Sequence, residues 1–217
     1  SDVPFARLFA DGETTWNCMT ALRSVIERLG IPSYIYADKA GWAGGGSDKR
    51  ANFTQFVRAC EELGTSVIAA HSPQAKGRVE RSFGTTQDRL IPELRLYGIT
   101  SLLDCNRYLE QCFLPQWRER YVVEARAETT RYRRVPAHID LHDVFCLKYH
   151  RLVANDNAVS YGNQRYKIMD RHLGSLRRKE VTVHEYQDGS VGLFYGHLRL
   201  TTELIVQPKR RWNGRAG

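Results

Sequence analysis

Two carboxylates in this sequence stand where chemistry could be done. Asp38 closes the β-rich run SYIYA (33–37), and Glu80 lies about a turn into a helix expected to open at HSPQAKG (71–77), after a second β-rich run, SVIAA (66–70). Carboxylates delivered by strand ends and a helix start converge on one edge of an α/β sheet, the edge where ligands ordinarily bind. Hard oxygen ligands of this kind suit Mg²⁺ or Mn²⁺, which keep several waters and accept phosphate oxygens. Two such ions about 4 Å apart can activate a water or a 3′-hydroxyl and stabilise the leaving oxygen of an in-line displacement. An isolated Asp and Glu are more often solvated surface charges, so the pair acquires meaning only from its surroundings.

Those surroundings are basic and polar. Lys76 precedes Glu80 by four residues, Arg78 and Arg81 flank it, and His71 and Gln74 lie where the strand gives way to the helix. Four-residue spacing puts Lys76 beside Glu80 on a helix, where it could touch a phosphate or simply form an ordinary exposed pair.

The elements that must position these groups can be read from periodicity. VPFARLFA (3–10) reads as a strand and Asp11-Gly12 as a turn. A helix capped by Thr14 or Thr15 then runs to Leu29, with Trp16, Met19, Leu22, Val25, Ile26 and Leu29 at helical spacing and Gly30 and Pro32 as its stop. GWAGGGSDKR (41–50) reads as a loop and 52–63 as a helix closed by Gly64. Strand and helix alternate over 3–90, which predicts an α/β layer with a central sheet. Residues 101–121 read as a further helix with Leu102, Cys105, Leu109, Cys112 and Phe113 inward and a break or kink at Pro115. The polar stretch 122–140 reads as a linker. Beyond it the texture is β, with Asn/Asp/Gly turns and a hairpin about Asp188-Gly189, which predicts a small barrel or sandwich. The final PKRRWNGRAG (208–217) reads as a disordered basic tail.

Composition narrows the function classes. No apolar run is long enough to cross a bilayer and no charged-then-apolar leader opens the sequence, which predicts a soluble, cytoplasmic protein without a membrane partner. Five cysteines without a CxxC predict free, mostly buried thiols rather than a disulfide framework. The net charge is +8, and 141–217 carry 13 basic against 7 acidic residues, so most of the excess lies in the last third. There Arg165, Lys167, Arg177, Arg178 and Lys179 interleave with Tyr161, Tyr166, Tyr186, Phe194, Tyr195 and Trp212. Cations supported by aromatics suit a nucleic-acid face, although most of these rings are expected in a β core. His138, His142, Cys146 and His150 recur every fourth residue. Such steps drift about 40° each on a straight helix, so the four do not converge on a metal.

IPSYIYAD (31–38) and SVIAAHSPQAKGRVERSFGTTQDRL (66–90) resemble the integrase core shared by retroviral integrases and DDE-type insertion-sequence transposases. SPQAKGRVER in particular is similar to the ISNCY-type bacterial transposases. A weaker likeness continues through ELRLYGIT (93–100), FLP (113–115) and LVANDNAVSYGNQRYKI (152–168). The resemblance implies an RNase H-like α/β catalytic core over 1–121, a linker over 122–140 and a small basic β-barrel-like domain over 141–207. It implies that Asp38 and Glu80 are the second and last acidic residues of a DDE triad and hold two Mg²⁺ or Mn²⁺ ions. His71, Gln74, Lys76, Arg78 and Arg81 would then face DNA. The implied activity is cleavage of transposon ends and transfer of the 3′-hydroxyl into double-stranded target DNA, by a homo-oligomer assembled on DNA. In such a fold the first aspartate lies on a strand upstream of the one expected at 3–10. Asp2 and Asp11 are the only aspartates upstream of Asp38, and neither fits the pattern, so the first strands and the first aspartate are expected to be missing and strand transfer by these residues alone to be weak. A non-catalytic DNA-binding or assembly protein derived from a transposase, and an RNase H-like nuclease, are the alternatives.

Overall fold

The structure, a computed structural model, describes residues 12, 14–37, 47–69, 73–121 and 131–205; for 36–37, 47–54, 69, 73–83, 85 and 121 it describes the backbone alone. The strand expected at 3–10, Asp38, His71 and the tail lie outside the described residues. The chain divides into two compact units, Ser1–Phe145 and Cys146–Gly217. Among the described residues no helix is long and apolar enough to cross a membrane.

In the first unit, helix α1 (Thr15–Leu29) starts where Thr14, in extended conformation, accepts the Asn17 N–H on its hydroxyl at 3.1 Å. This satisfies one of the helix's orphan donors. Met19, Leu22 and Ile26 face the core, as their spacing predicts. Gly30 ends the helix at φ 97°, donating to the Ile26 carbonyl at 2.8 Å. A side chain here would be strained and would collide with the Arg133 backbone carbonyl. That crowding arises because strand β1 (Ile31–Pro32) pairs antiparallel with strand β4 (Tyr132–Arg133), inside the stretch read as a linker. Ser33 reinforces the contact, since both its N–H and its hydroxyl donate to the Arg131 carbonyl at 3.0 Å. The Arg133 guanidinium donates to the Leu63 carbonyl. Polar composition concealed this strand because it is only two residues long and held by backbone groups, which carry no sequence signature.

Strand β2 (Tyr34–Ala37) lies parallel to β3 (Ser66–Ala69) in the register Tyr34↔Ser66 through Ala37↔Ala69. Helix α2 (Ser47–Glu62) joins them on the chain, giving the strand–helix–strand order typical of parallel sheets. It begins at Ser47, within the segment read as loop, because Gly46 is the last glycine or proline before Gly64. Phe56, Ala59 and Cys60 of α2 are buried, with Leu63 just beyond. Buried Thr65 donates its hydroxyl to the Pro32 carbonyl at 2.7 Å, which aligns the two strand starts. Helix α3 (Pro73–Leu96) opens on proline, tolerated at a first helical position where the N–H has no partner anyway.

The helix expected over 101–121 is three pieces: α4 (Leu102–Tyr108), a π-helical turn (Leu109–Phe113) and α5 (Leu114–Tyr121). Leu90, Leu109, Phe113, Leu114 and Trp117 form one core cluster. Leu102 and Cys112, expected inward, are exposed. The wider π turn rotates the register just before Pro115, whose missing N–H cannot continue regular helical bonding.

The second unit contains β5 (Leu147–Leu152), β6 (Ala158–Tyr161), β7 (Gln164–Ile168), β8 (Glu180–Glu185), β9 (Val191–Tyr195), β10 (Leu198–Leu200) and β11 (Thr202–Leu204). They form two antiparallel sheets, ordered β10-β9-β8-β5 and β11-β7-β6. Val153, Val159, Ile168, Leu176, Val181, Val183, Leu193 and Leu200 make their shared core. Among the described residues the strands do not close into a ring, so the β-barrel-like expectation gives way to two sheets. The turn chemistry is as read: Gly162-Asn163 (φ 56° and 59°) links β6 to β7, and Gly189 (φ 81°) lies in the β8–β9 loop.

Candidate catalytic edge and nucleic-acid interface

The in-register pairing of β2 with β3 ends both strands at one level, Ala37 opposite Ala69. Asp38 is the next residue after β2, and Glu80 occupies the eighth position of α3, the helix that follows β3. Asp38 and His71 lie outside the described residues, and of Gln74, Lys76, Arg78, Glu80 and Arg81 only the helical backbone is described. On that backbone Lys76 and Glu80 are an i,i+4 pair, as are Gln74 and Arg78, so the polar positions occupy neighbouring rows. The parallel strand pair and the helix bearing the glutamate are thus present.

The basic candidates of the second unit divide into two groups. Arg165 and Lys167 alternate with Tyr166 and Ile168 along β7, and both engage Asp156. Arg165 pairs with its carboxylate at 2.7 Å, while Lys167 donates to its backbone carbonyl. Arg177, Arg178 and Lys179 are all exposed, in a tight turn closed by the Lys179 N–H to the Leu176 carbonyl at 2.9 Å. Arg178 sits at φ 60°, and its N–H donates to the Val153 carbonyl at 2.9 Å, while the Lys179 carbonyl accepts from Val153 at 3.0 Å. Three consecutive cations therefore project from a backbone fixed on both sides.

Asn157 anchors that turn from behind. At φ 59°, a conformation asparagine tolerates better than most residues, it accepts the Leu176 N–H on its side-chain oxygen at 3.0 Å. Its backbone carbonyl accepts from Ile168 at 3.0 Å. Arg151, which sequence reasoning passed over, stands above the paired rings of Tyr149 and Tyr161, 5.8 Å and 5.5 Å from their centroids. Burial, and then its bond to Glu185, raises the Tyr161 pKa, so its hydroxyl stays a donor. Alternating aromatic and basic residues were the available signal for this cluster, but strand alternation alone does not say which cross-strand rings meet.

Of the expected interleaved aromatics, Tyr186 and Phe194 are buried, and Tyr161 and Tyr166 pack against the core. The four-residue His/Cys repeat straddles a short helix, α6 (Leu141–Val144), and β5, so it lines no single helix. Among the described residues no group of three or more His, Cys, Asp or Glu is placed to hold a metal ion. None of the five cysteines forms a disulfide; Cys60 and Cys146 are buried, and Cys112 is exposed.

Similarity to one protein named as a transposase extends along nearly the whole chain. It is 32% identical over 226 aligned positions to y4bF of Sinorhizobium fredii, a protein assigned by name as a transposase, covering 93% of this chain and 48% of that protein. The transposase for insertion sequence IS1202 of Streptococcus pneumoniae is 37% identical over 93 residues, 41% of this chain and 20% of that protein. The chain thus spans about half the length, or less, of the curated relatives it matches. No family model matches it. Among solved structures, a chain of the simian T-cell lymphotropic virus intasome in complex with PP2A regulatory subunit B56 gamma corresponds over 91% of this chain and 68% of that one. Its 15% identity and TM-score of 0.31 make that likeness too loose to carry a structural argument.

Proposed function

We propose that this chain is part of a DDE transposase that cleaves transposon ends and transfers the 3′-hydroxyl into target DNA, its first unit being an RNase H-like core. The observation that supports the reading is the parallel β2–β3 pair, with Asp38 following one strand and Glu80 on the helix that follows the other, in a chain similar to one protein named as a transposase over 93% of its length. The donor set fits Mg²⁺ or Mn²⁺: two carboxylates, hard oxygen donors, with no cysteine in either 31–38 or 66–90. Bound there, such ions would supply Lewis acidity to the phosphate and lower the pKa of the attacking hydroxyl. Asp38 and Glu80 would hold them, and Lys76, Gln74, Arg78 and Arg81, with His71, would fix the DNA end by its phosphates.

The second unit is the grip. Residues 146–217 carry 13 basic and 6 acidic residues, and the Arg177–Lys179 turn presents three cations at one point. We take the functional assembly to be a homo-oligomer on duplex DNA, because strand transfer brings two transposon ends together. The test is a strand-transfer assay with Mg²⁺ on the full-length protein. Wild type should join labelled ends to target, and Asp38→Asn or Glu80→Gln should each abolish joining while duplex affinity stays within about twofold, since affinity comes from the cations. Joining by Glu80→Gln at the wild-type rate would refute the assignment.

A further inference from the structure

β5 and β6, the edge strands of the two sheets, meet at an open depression of about 430 Å³ lined by Arg151, Arg165 and the hairpin residues 160–164. Its two guanidiniums are held in different ways. Arg165 is tied to Asp156 at 2.7 Å, and its Nε is buried with no hydrogen-bond partner among the described residues. Arg151 rests over the Tyr149–Tyr161 pair, whose ring centroids lie 5.3 Å apart, and donates one N–H to its own neighbour's carbonyl, that of His150, at 2.8 Å. The Tyr161 hydroxyl is bound to Glu185. The carboxylates of Asp156 and Glu185 are therefore already engaged, by Arg165 and Tyr161 respectively.

The remaining lining is Ser160, Gly162, Asn163 and Gln164, small or uncharged hydrogen-bonding groups on a turn whose left-handed conformation is set by Gly162-Asn163. A guanidinium over aromatic faces keeps its edge N–H groups available and loses little rotamer freedom when it binds. Arg151, although exposed like Arg177, Arg178 and Lys179, is thus a preset donor on its rings. The lining is polar, and the aromatic faces are covered by Arg151, so the site suits an oxyanion better than a stacked base.

We propose that this depression is a phosphate-binding site, gripped by Arg151 on its tyrosine pair. The proposal rests on the reading of this chain as a DNA-binding protein insofar as the phosphate belongs to a DNA backbone; free phosphate or a nucleotide offers the same chemistry, and the test separates them. Labelled duplex DNA is titrated with the full chain across a series of NaCl concentrations. The proteins are wild type, Arg151→Ala, Arg151→Lys and Arg107→Ala, the last removing an exposed cation from the first unit. In parallel, inorganic phosphate is titrated against ¹⁵N-labelled protein while the Gly162 and Asn163 amides are followed.

Arg151→Ala is expected to weaken duplex binding about three- to tenfold and to reduce the slope of log K against log salt by about 0.9, one phosphate contact. Arg151→Lys should recover the slope, and Arg107→Ala should change neither. Shifts of the two amides by inorganic phosphate in wild type and not in Arg151→Ala, with duplex binding unchanged, would establish a site for free phosphate rather than DNA. If wild type binds no duplex, the DNA reading fails and the amide titration alone decides the site. Arg151→Ala matching Arg107→Ala in affinity and slope, with no phosphate-induced amide shifts, overturns the proposal.

Discussion

Single side chains of the second unit differ in how far the fold has already committed them. Arg165 and Lys167 engage Asp156, while Arg177, Arg178 and Lys179 stand exposed on a turn. Arg178 is the informative one, because a left-handed arginine costs about 1 kcal/mol that glycine does not pay. Arg178→Gly should therefore keep or slightly raise the melting temperature while weakening duplex binding several-fold, as thermal denaturation and anisotropy would report together. A fall in both would mean the arginine is structural. The cysteines make a second contrast. Burial, then the neighbouring Glu61, pushes the Cys60 thiol up to about 12, with Arg58 opposing. Its thiolate fraction is thus far below that of a free thiol at about pH 8. Alkylation followed by mass spectrometry should label exposed Cys112 first and Cys60 only on unfolding.

At the scale of elements, short contacts that leave little trace in composition do much of the fixing. Gly30→Ala would place a methyl against the Arg133 carbonyl at φ 97° and should cost roughly 1–3 kcal/mol, read from chemical denaturation. Asn157→Ala removes the acceptor for the Leu176 N–H and leaves alanine in a left-handed conformation, so a loss of about 1–2 kcal/mol is expected. Tolerance of both changes would mean these junctions yield easily. What the sequence made legible follows the same division. Thr14 and Gly30 marked α1, Met19, Leu22 and Ile26 marked its buried face, and Gly162-Asn163 and Gly189 marked the turns, because each acts through local backbone chemistry. The β1–β4 pair was not legible, since backbone groups from residues a hundred positions apart make it. Nor was the π turn that exposes Cys112, a register shift that hydrophobic spacing alone does not encode. Of the candidate site, the runs that form β2, β3 and α3 could be read, whereas Asp38 lies outside the described residues and the Arg151–tyrosine cluster depends on cross-strand neighbours that only the fold assigns.

For the whole molecule, chemistry and grip are proposed to lie in different units. Residues 146–217 alone should bind duplex DNA with an affinity that falls steeply as salt rises, because counterion release scales with the phosphates neutralised. Salt-independent binding, or none in dilute salt, would move the grip elsewhere. The proposed catalytic edge requires Asp38 and Glu80 to hold metal together. A crystal structure of the full-length protein grown with Mn²⁺, with anomalous scattering collected at the manganese edge, tests it most directly. An anomalous peak bonded to oxygens of both Asp38 and Glu80 is expected, their carboxylates within about 8 Å of each other. Carboxylates on opposite faces of the β2–β3 layer, or manganese bound without either of them, would contradict it.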